Sequence, residues 1–349
     1  MAALCRPNLV VVGFFSACCI GVLCITVKKQ RGKAAAAILV FLSLFFLPIV
    51  AMVAHNYRLY RDFVPLSAVG GVNFYVGNNP EADGKFHLTK GFGTGLDEMI
   101  ENSQKIAEET LKKKLHASQA ANYWYGRGVQ FILTEPAAAA KIFLTKIFYF
   151  FNRYEVPDIL DIGFAAQFLP VLCMGHFIYG LMLVLGLWGM WLYVKKPVGG
   201  AGIYLSVFFF SYAFSVVLFF ITARYRLGAV LGLVPFAALG ADTLVKAAKK
   251  ITPVGANNTV CLTVLAIVVF WPVETVNYAV NYNSLGIAMK NRGDDVSAER
   301  YYREALKIAP SYPSPYYNLG LLLRSQGKWQ EAETCFVEYQ NRKQAVMRS

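Results

Sequence analysis

Histidine is scarce in this sequence, at four residues in 349, and the seven cysteines include no Cys-x-x-Cys pair. Together with the lack of a His-Glu-x-x-His helix motif, this leaves no donor set for a zinc site, and neither a metal nor a cofactor is expected. Charge is also sparse, at 16% of residues against roughly 25% in soluble domains, while 56% are hydrophobic. That balance excludes an ordinary soluble enzyme and points to a chain in a bilayer. Acidic residues are the rarer sign, 21 against 34 basic, for a net charge of +13. The excess sits in short clusters beside apolar runs, as orientation signals do, so no nucleic-acid partner is expected. No signal-peptide cleavage pattern surrounds the first apolar run.

Long apolar runs are abundant. A helix needs about 20 of them in succession to cross ~30 Å of hydrocarbon. Residues 8–27, 34–54, 167–194, 199–222, 227–245 and 259–274 meet or approach that length. The expected fold class is therefore all-α, a polytopic transmembrane bundle of about six spans. Lys28, Lys29, Arg31 and Lys33, then Lys195 and Lys196, then Lys246, Lys249 and Lys250 fall in loops that alternate onto one face. By the positive-inside rule that face is cytoplasmic, so the large loop and the C-terminal segment are expected outside. The expected location is an inner (cytoplasmic) membrane, crossed several times. Four domains follow: two spans in 1–54, an external loop in 55–166, four spans in 167–275 and a helical-repeat segment in 276–349.

Within the loop, Gly70-Gly71 and Asn78-Asn79-Pro80 argue against a continuing helix, and Val72, Phe74 and Val76 alternate with Asn73 and Tyr75 as a short extended segment would. Helices are expected over 96–115, from 118 or 119 to the Glu135-Pro136 junction, and over 137–151. The last is apolar but carries Lys141 and Lys146, so it is expected to lie in the membrane interface with both lysines snorkelling to water. Lys112, Lys113 and Lys114 are either a solvated helix end or a contact to anionic headgroups.

At the C-terminus, Gly286 and Gly320, Gly293 and Gly327, and Ala298 and Ala332 all recur at a spacing of 34. Tyr282, Leu285, Tyr302, Ala305 and Pro310 complete one copy; Tyr316, Leu319, Phe336 and Tyr339 stand in the next. This is the period and pattern of the tetratricopeptide repeat, two antiparallel helices per unit, which implies a surface for a protein or peptide. Tyr339 departs from the pattern, where a small residue is usual.

Four stretches carry a further resemblance. They are Leu4-Cys5-Arg6-Pro7-Asn8; the string from Val69-Gly70-Gly71 through Asn73-Phe74-Tyr75 to Gly77-Asn78-Asn79-Pro80 and Gly84; Pro136 to Lys146 and on to Phe151-Asn152-Arg153-Tyr154-Glu155; and Ala223-Arg224-Tyr225-Arg226-Leu227. Over roughly residues 1–275 the chain resembles the C-terminal half of bacterial polytopic glycosyltransferases with the GT-C fold, the family of dolichyl-phosphate-mannose protein mannosyltransferases and aminoarabinose transferases. The resemblance implies sugar transfer from a polyprenyl-phosphate donor at the external face. Arg224, Arg226, Arg58 and Arg61 stand just outside apolar runs, where guanidinium groups would meet the donor's phosphate or simply anchor helix ends. Asn73, Asn78 and Asn79 are candidates for sugar hydroxyls or for turn backbone.

The family's catalytic aspartate belongs to its first external loop, to which nothing here corresponds. No catalytic residue is therefore expected among Asp62, Glu81, Asp83 and Glu155, and the chain is expected to need an N-terminal glycosyltransferase partner or segment. The competing expectation is a non-catalytic membrane scaffold that assembles proteins through its repeats.

Overall fold

The computed structural model describes residues 9–26, 31–64, 67–86, 89, 91–92, 96–157, 161–197, 200–251, 253–273 and 278–348. Among these, fifteen α-helices and one 3₁₀ turn account for the regular structure, and the only extended pairing is an isolated parallel bridge between Lys85 and Ile221. The chain divides into two compact units, Met1–Ile162 with Val171–Trp271, and Gly163–Pro170 with Pro272–Ser349.

The first unit opens with α1 (Leu9–Thr26) and α2 (Arg31–Tyr60), followed by α3 (Gly70–Gly77), α4 (Leu96–Leu111), α5 (Ala117–Thr134) and α6 (Pro136–Phe151). The short α7 is Ile162–Ala165. Four apolar helices follow, α8 (Cys173–Lys195), α9 (Ala201–Val217), α10 (Ala223–Ala248) and α11 (Ala256–Val269). Among the described residues, three stretches are long and apolar enough to cross a membrane: Ala36–Tyr60, Pro170–Lys195 and Ala223–Ala248. Three shorter apolar helices accompany them, Val10–Val22, Ala201–Val217 and Ala256–Val269, so the six expected runs are all helical but of two lengths.

Local chemistry explains where the fourth and sixth runs stop. The sixth run stops at Val269 because Pro272 disfavours helical backbone at Trp271; its 14 residues rise only ~21 Å. In the fourth run, α9 ends at Val217 and residues 218–222 turn away to pair with the loop after α3. Leu218 O accepts from Asn78 Nδ2 at 2.9 Å, and Ile221 N donates to Gly84 O at 2.9 Å. Thr222 then caps α10, its side chain accepting from Tyr225 N. The core of this unit lies where α8, α9 and α10 meet, around fully buried Leu183, Phe209 and Leu233.

The segment expected to be extended is instead a helix. Alternation over five residues does not distinguish a strand from two helical turns, and here the glycines decide. A Cβ on Gly71 would run into the Ala121 carbonyl of α5, and one on Gly77 into the Phe219 carbonyl. The Gly-Gly start and the Gly-Asn-Asn end thus let a two-turn helix press its backbone against neighbours on both sides.

In the second unit, α12 (Ala279–Asn291), α13 (Asp295–Ile308), α14 (Pro313–Ser325) and α15 (Trp329–Arg348) form two antiparallel hairpins. Gly293 and Gly327 take left-handed φ of +82° and +77° at the hairpin turns, as a 34-residue repeat requires. The Tyr302 ring lies over Gly286 and the Phe336 ring over Gly320, so each small residue on a first helix receives a large one from the second. Ala298, Tyr302, Leu319, Leu322, Leu323 and Ala332 make one continuous core. Asn318 Nδ2 donates to Asn283 Oδ1 at 2.9 Å, tying α14 to α12. Asp294 accepts from the Ser297 side chain and from Ser297 N at the start of α13, and these two hydrogen bonds hold its carboxyl below the usual range. Phe164 packs on Tyr278 and Tyr282, and Tyr282 donates to Gln167, which fastens residues 163–170 to these hairpins.

Truncating Tyr302 to Ala is expected to destabilise the hairpin unit by about 3–5 kcal/mol, the cost of an aromatic-sized core cavity. Hydrogen exchange across 279–344 should accelerate in that variant while protection of α8 and α10 is retained.

Candidate functional site

A groove of about 570 Å³ opens between the stretch after α6, the first half of α8 and the start of α10. Its walls are mainly apolar, with Ile178, Met182 and Leu227 among them, and Glu155, Tyr179, Arg224 and Arg226 supply the polar groups. Two sequence-derived arginines therefore share one site.

Their roles differ. Arg226 is 1% exposed and directs its guanidinium inward: Nη1 donates to Tyr149 O at 2.6 Å and Asn152 O at 2.7 Å, and Nη2 to Tyr154 O at 2.7 Å. Its charged plane also lies 4.4 Å from the centre of the Tyr179 ring. The carbonyls it binds belong to the last turn of α6 and the residues just beyond, which have no intrahelical partner, so Arg226 caps that helix from outside. The same stretch is held elsewhere. Asn152 Nδ2 donates to Trp271 O, Arg153 N to Val269 O, and Ala223 N to Val156 O, each at 2.9 Å. Tyr179 completes the arrangement by donating to Phe150 O at 3.1 Å.

Arg224, two residues earlier, is exposed and lies 5.2 Å over the Tyr225 ring. It presents its charge on the groove at the N-terminus of α10, where the helix dipole also favours an anion. Glu155 Oε1 lies over Gly175 on the facing wall.

The other candidates lie away from this groove. Arg58 is exposed in the last turn of α2, and Arg61 follows at a left-handed φ of +51°. Asn73 is half-buried on α3. Asn78 gives both amide protons to backbone, Phe74 O at 2.8 Å and Leu218 O at 2.9 Å, and accepts from Lys146 Nζ at 2.9 Å. Asn79, 1% exposed, donates to Tyr75 O and Val76 O and accepts from Glu81 N. Both side chains thus cap α3. Of the carboxylates, Asp62 accepts from the Ser118 backbone N–H at 2.9 Å and from the Ser118 hydroxyl. Burial pushes its carboxyl up, yet those two bonds, together with His116 nearby and the Phe63 N–H, hold it below the usual range. Asp83 pairs with Lys85 at 3.6 Å.

Lys146 is a correction to the snorkelling expectation. It is 0% exposed and turns into the protein, because its position on α6 faces Asn78 Oδ1 rather than water. Burial lowers its pKa to about 7. Lys141, five residues earlier, is exposed.

A tetratricopeptide-repeat profile matches residues 301–334, from within α13, through α14, into α15. The chain carries a tetratricopeptide repeat. An uncharacterised protein of Methanocaldococcus jannaschii is 33% identical over 63 residues, which are 18% of this chain and 73% of that protein. The two belong to one family. No solved structure is significantly similar to the chain.

Two expectations follow from this geometry. Arg226→Ala should cost about 3–5 kcal/mol of stability, since three buried carbonyls lose a charged donor. Arg224→Ala should lie within about 0.5 kcal/mol of the parent; thermal unfolding of both in detergent makes the comparison.

Lys146 makes stability depend on pH with a definite sign. Its pKa is depressed in the fold, so the unfolded chain binds more protons between pH 7 and the ordinary lysine pKa. Native stability should therefore rise from about pH 7 to pH 10, by no more than about 1.4 kcal/mol per pH unit. Denaturant titrations of Lys146→Met should lack that component.

Proposed function

We propose that the chain is the membrane-embedded part or subunit of a polyprenyl-phosphate-sugar-dependent glycosyltransferase, working at the external face of a bacterial inner membrane, with its repeats docking a protein partner. The observation that carries this reading is the exposed Arg224 guanidinium on a mainly apolar groove between the N-terminal ends of two helices long enough to cross a bilayer. A lipid-linked donor has the matching form. Its phosphate lies at headgroup depth and its isoprenoid tail lies against apolar walls.

Within this reading Arg224 contacts the phosphate, Arg226 positions the groove by fixing the stretch that bears Glu155, and Arg58 and Arg61 are reserve cations at the end of α2. Asn73 remains the candidate for sugar contact, Asn78 and Asn79 being engaged in capping. No residue of this chain is assigned as the base that takes the acceptor's proton. A base must come within ~3 Å of that proton, and Asp62 is committed to Ser118. The six apolar helices are read as six crossings, the three short ones through local thinning of the bilayer.

A second reading, a membrane scaffold, is favoured by the repeat match alone, since stacked hairpins of this type present a docking face.

Binding of polyprenyl phosphate to the full chain in nanodiscs distinguishes the two. Arg224→Ala is expected to weaken binding roughly ten- to a hundred-fold, the value of one charge-assisted contact, with Lys195→Ala unchanged. Binding that ignores Arg224 would falsify the donor site, and no binding by the parent would leave the scaffold.

A further inference from the structure

Helices α5 and α6 present an apolar surface that none of the described contacts covers. On α5, at about 100° per residue, Gly126, Val129 and Leu133 fall within one sector of about 60°, and Tyr125, whose ring packs on Phe74 of α3, borders it. Val129 is 46% exposed and Leu133 74%. The opposite side of α5, with Ala121, Trp124, Gly128 and Phe131, is buried, and Trp124 and Gly128 pack on Tyr75 and Phe74 of α3. Between the two lies a polar flank of Arg127, Gln130 and Thr134, all exposed.

On α6 the outward side is more apolar still. Pro136, Ala137, Ala140, Phe143 and Leu144 are exposed, and Lys141 at their edge is the one polar side chain among the exposed residues of this helix. Leu144 is 64% exposed. A water-facing side of a 16-residue helix with a single polar group is not a solvated surface.

The polarity is also graded along the chain. The first half of α5 exposes Gln119 and Asn122, the second half exposes Val129 and Leu133 beside a polar flank, and α6 exposes almost only apolar groups. A protein partner would give a patch with a rim. A gradient running along two successive helices, with a tyrosine and single basic residues at its edge, fits a bilayer interface.

We propose that α5 and α6 form a wedge in the bilayer interface: the chain enters at the second half of α5, and α6 lies at the level of the acyl boundary. The apolar sectors of both helices face lipid, and Arg127 and Lys141 reach back to the headgroups. The contact is made by helices other than those long enough to cross a membrane, and it does not depend on which ligand the groove takes.

The test uses the full chain in liposomes, with its seven native cysteines replaced by alanine and single cysteines at Val129, Leu133, Leu144 or Gln130 bearing an environment-sensitive fluorophore. Bromine-bearing lipids are expected to quench the labels at Val129→Cys, Leu133→Cys and Leu144→Cys about two-fold or more beyond that at Gln130→Cys, and aqueous iodide to do the reverse. Iodide quenching at all four positions overturns the proposal in favour of a solvated surface. Protection of the three apolar positions from both quenchers overturns it in favour of a protein cover.

Discussion

The first unit depends on one buried guanidinium. A helix end leaves its last carbonyls unpaired, and α6 ends inside the protein where water cannot serve them. Arg226 serves them instead, reaching across from the first turn of α10 to Tyr149, Asn152 and Tyr154. Lysine would not do the same, since one ammonium cannot present a planar fork to three oxygens at once while lying flat on Tyr179. Because the same stretch also binds the end of α11 through Trp271 and Val269, the single side chain at the head of α10 orients α6, α8 and α11 together. The groove is what remains open beside that junction, so its shape is a consequence of the cap.

The second organising feature is α3. Its glycines bring backbone against α5 on one side and residue 219 on the other, and the two asparagines after it close its end with amide groups. Lys146 then meets the oxygen of Asn78. A motif of glycine, aromatic and asparagine residues that resembles a ligand loop is, in this chain, a compact joint through which α5, α6 and the end of α9 are registered to each other.

The helices of the bundle and the hairpins were legible in the sequence for physical reasons: an apolar run of membrane length has few alternatives, and a 34-residue recurrence of Gly and Ala is specified by tight helix pairs. Arg224 and Arg226 were legible as a pair beside a span, but not their division of labour, since two residues apart on a helix they point in directions about 200° apart and only the surroundings show which one faces inward. The fold of 70–77 was misread because alternation over so short a segment satisfies both periods, and the deciding contacts come from residues 121 and 219. Lys146 was misread because a lysine on an apolar helix usually reaches water, and its polar acceptor lies 68 positions earlier.

The hairpin unit has a further consequence for how such a chain can lengthen. Where the first hairpin has fully buried Ala305, the second has Tyr339, whose ring stands 5.2 Å from that of Tyr317 and is flanked by Lys343. A further hairpin stacked on α15 would lay its first helix against this position. Here that helix would arrive at a tyrosine where the preceding junction has a methyl group. The contact that Ala305 makes possible between α13 and α14 therefore cannot be repeated unchanged on α15.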